Sequence, residues 1–399
     1  MKLLLHASGF FPCAMVLALA FSSFAEDWPQ WRGAHRNGIS AEQLSAWQGG
    51  SPKVLWRTNI GTGFSSIAIS HGRAYTLGNK DDRDTIWCFN ASTGKEVWRH
   101  LYDSKLGPQY YEGGPGATPT IHEGQVFTIS KWGDVLCLNA ETGKVIWQKD
   151  LRKDGIQPNR WGFAGSSLLW HDFVILNAGA AGTALDRRSG KIVWSNGTNV
   201  TGYASPVLVS VNGKDAVLIF AAKHLVLDEA STGKELWRQP WETGWDTNNP
   251  DPILYKEFIF ISSFSHGCAL LRLSNGEAVY ENKSLYNHLS PGIVRGDYLY
   301  SFSGEAHRET DFRCIHLPSG DVKWKSSDPG FGSLIAAGNN LVVLSEKGEL
   351  LVGDASPAGF HPTVRAQVIG GLCWTPPALA EGRIYVRNAA GDLICLKAN

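Results

Sequence analysis

Short apolar runs alternate with glycine-containing turns along the chain, a pattern typical of strands joined by hairpins. The pattern is clearest between Thr118 and Gln148. Four runs there predict strands over Thr118–Ile121, Gln125–Ser130, Val135–Asn139 and Val145–Gln148. Each turn between them contains a glycine, which supplies a positive backbone φ angle at low cost. This stretch therefore predicts one four-stranded unit.

The last turn and strand of this unit recur along the chain as a Thr-Gly-Lys-x-x-Trp phrase or a close variant. The glycines at 94, 143, 190, 233, 276 and 320 are separated by 43 to 49 residues. A period in this range suits four short strands with their turns. We predict that the glycines form the turns and that the tryptophans pack where neighbouring units meet. The repeat positions are Trp56, Gly94 and Trp98, Gly143 and Trp147, Gly190 and Trp194, Gly233 and Trp237, Gly320 and Trp324.

The number of outer strands predicts an all-β, eight-bladed β-propeller. The last repeat, 375–397, has inner strands but lacks an outer one, whereas the segment near Trp56 has an outer strand but no inner ones. These two fragments should complete one blade, so that the N-terminal strand closes the ring. A seven-bladed ring is the alternative, because the copy over 331–368 is degenerate.

The spacing of the repeat resembles the tryptophan-docking motif of pyrroloquinoline-quinone (PQQ) β-propellers. In that motif a small residue precedes Asp or Asn by two positions, Thr-Gly follows, and Trp comes four residues after the Gly. Cys88, Asn90, Thr93, Gly94 and Trp98 match each position. Similar repeats occur in the quinoprotein alcohol dehydrogenase-like superfamily and in the propeller lipoprotein of the outer-membrane β-barrel assembly machine. The resemblance implies the propeller fold, but a fold alone does not fix a function.

The first 25 residues predict a secretory signal peptide cleaved near Ala25, with an uncleaved membrane anchor as the alternative. We expect a leader over 26–52 and a propeller domain over 53–399. The leader segment 28–33 resembles one found in secreted propellers of this superfamily and is interpreted as structural. The mature protein is expected to be secreted or periplasmic, without a transmembrane segment. Cys88, Cys137 and Cys314 fall in one recurring slot of different repeats, which favours free buried thiols over disulfides.

Charge and short motifs narrow the possible partners. The chain has 37 Lys and Arg and 37 Asp and Glu residues. This balance argues against a nucleic-acid partner, which usually requires a basic surface. The sequence contains no Cys-x-x-Cys-His haem attachment signal.

The candidate site lies where the links between blades and the loops between second and third strands meet, on one face of the ring. These segments are longer and more varied than the turns on the other face. They supply a mixed aromatic and polar rim suited to a planar ligand, a sugar or a peptide. The candidate ligand-binding residues are Trp161, Tyr203, Asp246, Asn248, His288, His307, Arg308 and Trp374. No catalytic or metal-binding residue is assigned.

We interpret the chain as a non-catalytic binding scaffold, monomeric, with a protein or glycan partner in the cell envelope and no cofactor. The alternatives are a PQQ-dependent dehydrogenase, which would need calcium and a carboxylate base, and a propeller that binds or cleaves polysaccharide. Eight blades of this period use almost the whole exported chain, which leaves little room for the insertions of the dehydrogenases. The adjacent cysteine pair common in those enzymes is also missing.

Overall fold

The computed structural model describes residues 26–44, 47, 50–306 and 308–398. Within these ranges the chain forms 33 strands, the short 3₁₀ turns Leu151–Asp154 and Gly244–Asp246, and no α-helix. The predicted signal peptide lies outside the described residues. No helix of the described part is long and apolar enough to span a bilayer.

The strands are numbered in chain order. The first half contains β1 (Ile39–Ser40), β2 (Val54–Asn59), β3 (Ala68–Ser70), β4 (Arg73–Lys80), β5 (Arg83–Asn90), β6 (Glu96–Asp103), β7 (Thr120–His122), β8 (Gln125–Ile129), β9 (Asp134–Asn139), β10 (Val145–Asp150), β11 (Leu168–Trp170), β12 (Phe173–Leu176), β13 (Thr183–Asp186), β14 (Ile192–Ser195), β15 (Val207–Val211) and β16 (Lys214–Phe220). The second half contains β17 (His224–Glu229), β18 (Glu235–Pro240), β19 (Ile253–Tyr255), β20 (Phe258–Ser263), β21 (Gly267–Arg272), β22 (Ala278–Asn282), β23 (Ile293–Arg295), β24 (Tyr298–Ser303), β25 (Asp311–His316), β26 (Asp321–Ser326), β27 (Gly332–Ala337), β28 (Asn340–Ser345), β29 (Glu349–Asp354), β30 (Pro362–Gln367), β31 (Ala378–Ala380), β32 (Arg383–Arg387) and β33 (Asp392–Lys397).

These strands form eight separate sheets, the blades of a propeller. Blades one to seven are consecutive antiparallel sets of four, from β3–β6 to β27–β30. Blade eight contains β31 to β33 and is completed by β2, which pairs antiparallel with β33 and places Trp56 opposite Cys395. The eight-bladed fold and its closure by the N-terminal strand are therefore confirmed, and the seven-bladed alternative is wrong.

Each repeated tryptophan joins its blade to the next one. The indole N–H of Trp147 donates to the carbonyl oxygen of Arg187 at 2.8 Å. Gly190 lies against the same ring, where an added Cβ would be 2.6 Å from a ring carbon. Its φ of +69° also disfavours other residues. The same indole-to-carbonyl bond links Trp56 to Ala91, Trp98 to Ala140, Trp194 to Ala230, Trp237 to Leu273 and Trp324 to Ser356.

Four of the cysteines lie beside the repeated tryptophans. All six cysteines of the described part are buried and free, as their positions predicted. Cys88, Cys137, Cys314 and Cys395 each lie directly opposite the repeated tryptophan of their own blade, on the neighbouring strand. A small side chain at this point leaves room for the large ring to lie over the sheet.

The leader lies in the centre of the ring. Its backbone and arginine side chains bond to residues on, or next to, the innermost strands of several blades. These contacts join Trp28 to Ile69, Pro29 to Ile121, Arg36 to Ser167, Arg32 to Gly292 and Gly38 to Ala336. Strand β1 then pairs parallel with β27. Because unpaired strand edges otherwise face the channel, the leader satisfies part of their hydrogen bonding and fills the central space.

Candidate functional site

A cavity of 920 Å³ opens at one mouth of the central channel. Its wall comes from the links between blades and from the loops that join second and third strands. The lining includes Phe64, Gln109, Tyr110, Tyr111, Arg160, Trp161, Phe163, Tyr203, Trp245, Thr247, Asn249, Phe264, His288, Glu305, Arg308, Trp374 and Thr375, with Trp31 and Asp251. The volume is at the upper end of the roughly 300–1,000 Å³ of small-molecule sites.

The leader contributes to the cavity through Trp31. The Trp31 indole N–H donates to Asp251 Oδ2 at 2.6 Å, and the backbone N–H of Ser205 donates to Asp251 Oδ1 at 2.7 Å. Burial lowers the pKa values of Arg32 and Arg36 to about 10, whereas the charge of Asp251 acts in the opposite direction. Both arginines therefore remain charged at neutral pH beside the Asp251 carboxylate, which is used to hold the leader in place.

Aromatic side chains form much of the wall. Phe64 stacks on Trp374 with ring centroids 5.4 Å apart and contacts Tyr111 at 5.6 Å. The Trp161 and Tyr203 rings lie 6.0 Å apart, and the Tyr203 hydroxyl accepts a bond from the Trp161 backbone N–H. Such packing holds the rings in fixed orientations, so the wall is pre-formed.

Two further rings, which we call the mouth rings, project into solvent. Tyr110 is 84% exposed and Trp245 is 66% exposed. The Arg160 guanidinium lies 5.6 Å from the Tyr110 ring centroid and 4.6 Å from that of Trp245. Cation–π attraction of this kind holds the three side chains together although they come from three different links.

The backbone at both mouth rings is strained. Tyr110 has a φ of +65° and Trp245 a φ of +69°, a region that bulky residues rarely adopt. Such conformations cost of order 1–3 kcal/mol each and are concentrated at functional sites. Both rings are thus exposed and held on a backbone conformation that is unusual for bulky residues.

A buried lysine supports the wall from behind. The Lys131 ammonium donates to the Tyr111 hydroxyl at 2.7 Å and to the Gly107 carbonyl oxygen. Burial lowers the pKa of Lys131 to about 8. These bonds fix the link that carries Tyr111 at the channel mouth.

The structure places the sequence-derived candidates as follows. Trp161, Tyr203, His288, Arg308 and Trp374 line the cavity. His307 lies outside the described residues. Asp246 follows Trp245 but does not belong to the lining.

Asn248 has a structural role instead. Its side chain is fully buried, and its amide donates to the carbonyl oxygens of Ala221 and Ala222, at 2.8 and 3.1 Å. Its carbonyl oxygen accepts from the Ser263 hydroxyl. The amide therefore holds the turn before β19 and is not available to a ligand in the cavity.

Sequence reasoning missed Trp31, Phe64, Tyr110 and Arg160. Trp31 and Asp251 are 220 residues apart in the sequence, and no local pattern links them. The remaining three lie in irregular links without a repeat position. The only available signal was the density of aromatic residues in those links.

The described lining does not fit a calcium-bound quinone. Calcium takes six to eight oxygen ligands in proteins, but the carboxylates of the lining are Asp251 and Glu305. Asp251 is bound by Trp31 and Ser205, and Glu305 pairs with Arg308 at 2.9 Å. Among the described residues no group of three or more His, Cys, Asp or Glu side chains is placed to hold a metal.

The eight blades, their tryptophan contacts and the cavity at the channel mouth define a PQQ-repeat β-propeller. The family model PQQ_2, described as outer membrane protein assembly factor BamB, matches residues 82–326, which is more than half of the chain. The chain belongs to this family.

Curated relatives match over shorter stretches. The quinohemoprotein alcohol dehydrogenase ADH IIB of Pseudomonas putida is 28% identical over 189 residues, which is 43% of this chain and 25% of the relative. The dehydrogenase subunit of the quinone alcohol dehydrogenase of Gluconobacter oxydans is 27% identical over 131 residues, or 32% of this chain and 16% of the relative. The chain thus spans a quarter or less of the length of these relatives.

Solved structures share the fold. BamB of Moraxella catarrhalis superposes with a TM-score of 0.66 at 16% identity, covering 87% of this chain and all of that one. The quinohemoprotein alcohol dehydrogenase of Comamonas testosteroni gives a TM-score of 0.75 at 13% identity, covering 93% of this chain and 80% of that one. The fold therefore occurs both in an assembly factor and in enzymes.

Proposed function

We propose that this protein is a non-catalytic binding scaffold of the cell envelope that holds its ligand in the cavity at the channel mouth. The observation that carries the proposal is the lining of that cavity. It is pre-formed and rich in aromatic rings, and its carboxylates are bound by other protein groups. A wall of this kind supplies contact area and orientation, whereas a dehydrogenase needs a free carboxylate base and cation ligands.

The proposed location follows from the family and from the N-terminal sequence. The matching family is described as an outer membrane protein assembly factor. A signal peptide over residues 1–25, cleaved near Ala25, would deliver the leader and the propeller to the periplasm or beyond. We propose that the mature chain acts there as a monomer, with a protein or glycan as its partner.

A PQQ-dependent dehydrogenase is the competing function, because the curated relatives are quinone alcohol dehydrogenases. The quinone would carry the redox chemistry, and the protein would supply binding, orientation and electrostatics. In this chain Trp374 would supply a flat wall, and Asp246, which follows Trp245 of the lining, would supply a carboxylate.

Quinone-dependent oxidation separates the two functions. The exported chain, incubated with PQQ and calcium, is expected to show no dye reduction with alcohols or sugars as substrates. A quinoprotein alcohol dehydrogenase reconstituted in the same buffer serves as the positive control. Dye reduction that is lost in Asp246→Ala or Trp374→Ala variants would overturn the scaffold proposal in favour of the enzyme.

A further inference from the structure

We propose that the mouth of the cavity binds a neutral oligosaccharide, whose sugar rings stack on the mouth rings Tyr110 and Trp245. This inference rests on the proposed binding function and names its ligand class. The inference uses four observations: the exposure of the two rings, the uncharged polar groups of the cavity lining, the charge balance of that lining, and the position of the leader.

The exposure of the mouth rings carries a cost in free energy. Each ring presents a large apolar face to water, and each is held on a strained backbone. The Arg160 guanidinium contacts both rings and holds them at the same entrance. Two aromatic faces held in this way at the entrance of a cavity form a platform for a ligand that has flat apolar faces of its own.

A sugar ring has such faces. Its C–H groups carry a small positive charge and pack on the negative face of an aromatic ring. Its hydroxyl groups need donors and acceptors around the edge of the platform. Gln109, Thr247, Asn249 and Thr375 of the lining are uncharged polar groups. Thr247, Asn249 and Thr375 each donate one hydrogen bond to a backbone carbonyl oxygen, so it is their remaining hydrogen-bonding capacity that a sugar would use.

The charges of the lining favour a neutral ligand. The described lining contains two arginines, Arg160 and Arg308, and two carboxylates, Asp251 and Glu305. Glu305 pairs with Arg308, and Asp251 lies beside the buried arginines of the leader. The charged side chains of the lining itself are therefore balanced in number, and the surplus positive charge of Arg32 and Arg36 is buried behind Asp251, so the wall presents no dense patch of one sign to an ionic ligand.

The leader makes an extended peptide a poorer fit. An extended peptide can bind a sheet by adding a strand to an exposed edge. Here β1 already pairs with β27, and Trp28 pairs with Ile69 of β3. The cavity wall consists of links and loops, so the groups it offers are side chains and not a strand edge.

Calorimetric titration of the exported chain with linear neutral oligosaccharides tests the proposal. The panel contains six-sugar chains of α-1,4-linked glucose, β-1,4-linked glucose, xylose, mannose and N-acetylglucosamine. A charged oligogalacturonate is included for comparison. We expect at least one neutral member to bind in preference to the charged one. Tyr110→Ala and Trp245→Ala should each weaken that binding by about tenfold, as expected for the loss of one aromatic contact. Trp245→Phe, which keeps an aromatic face, should retain most of it.

Trp170→Ala is the matched control. Trp170 ends β11, at the opposite end of that strand from the link that carries Arg160. Its replacement by alanine should therefore leave sugar binding unchanged. Melting curves show that each variant is folded. The inference is overturned if no neutral oligosaccharide binds or if binding survives in both alanine variants. In those cases the absence of quinone-dependent oxidation would still support the scaffold, whereas its presence would overturn the proposed function itself.

Discussion

At the scale of single residues, every repeated tryptophan of the described residues except Trp324 makes two contacts that depend on each other. Its ring lies against a glycine of the next blade, and its N–H bonds to a carbonyl oxygen of that blade. The ring needs the glycine because a Cβ would overlap with it. The position in turn favours glycine over other residue types, because its turn requires a positive φ.

Removal of one such ring should be costly. Trp147→Ala should lower the free energy of unfolding by about 3–5 kcal/mol, because a large buried side chain leaves a cavity. Trp147→Phe keeps most of the ring but loses the bond to the Arg187 carbonyl, so it should cost less. Chemical denaturation measures both values. A loss below about 1 kcal/mol for the alanine variant would show that the ring contributes little to blade contact.

A buried carboxyl group should make stability depend on pH. Asp228 in β17 is fully buried. Its Oδ2 accepts from the Asn196 amide at 3.0 Å, and its Oδ1 finds no donor among the described residues. Burial raises the pKa of Asp228 to about 7. The folded protein therefore holds this proton at pH values where the unfolded chain, with an Asp pKa of about 3.9, has lost it.

The sign of the effect follows from linkage. The stability that the folded protein gains from the protonated Asp228 is fully present below the unfolded pKa of about 3.9. It falls as pH rises above that value and is lost once pH has passed the folded pKa of about 7. Asp228→Asn cannot ionise, so its stability relative to the natural chain should increase between about pH 4.5 and 7.5, by up to about 1.4 kcal/mol per pH unit. Urea unfolding at several pH values measures this difference. Asp354→Asn, at an exposed position, controls for the lost charge. A difference that stays constant with pH would contradict the assignment.

At the scale of elements, β2 is the strand that closes the ring. It supplies the outer strand of blade eight through its pairing with β33, and Trp56 then bonds to the Ala91 carbonyl of blade one. Behind it, the buried Arg387 of β32 donates to the carbonyl oxygens of Ser65 and Leu77 in and before blade one. One short strand and one arginine are therefore major connections between the last blade and the first, with Tyr385 adding a bond from its hydroxyl to the Ala91 carbonyl oxygen.

Two truncations separate closure from the leader. A chain that begins at Thr58 loses Trp56 and leaves the edge of β33 unpaired, so it should aggregate or melt at a much lower temperature. A chain that begins at Lys53 loses the leader but keeps β2, and it should remain a folded, less stable monomer. Size-exclusion chromatography and thermal melting measure the outcome. Equal melting temperatures for the two truncations would disprove closure by β2.

At the scale of the whole molecule, the ring and the leader together produce the binding cavity. The blades hold the links at a fixed distance from the axis, and the leader fills the centre beneath them. Asp251 joins the two through its bonds to Trp31 and Ser205. The central space is therefore a pocket with walls from many links, and its shape depends on ring closure.

The sequence by itself determined the blades. Strand period, turn glycines and tryptophan contacts depend on short-range spacing and on a pattern that repeats, so each copy supports the others. The pattern favoured eight blades and left seven as the alternative, and the structure decided for eight. Strand bounds in the second repeat were within two residues of those observed, because glycine turns limit the runs.

Only the tertiary structure decided how the links converge. Arg160 meets Tyr110 and Trp245 because three blades bring three irregular links to one mouth, and these links carry no repeat to predict their course. Asn248 faces backbone carbonyl oxygens and not the cavity for the same reason. The leader reaches Asp251 across 220 residues of sequence, a contact that depends on the position of both segments in the closed ring and that no local pattern predicts.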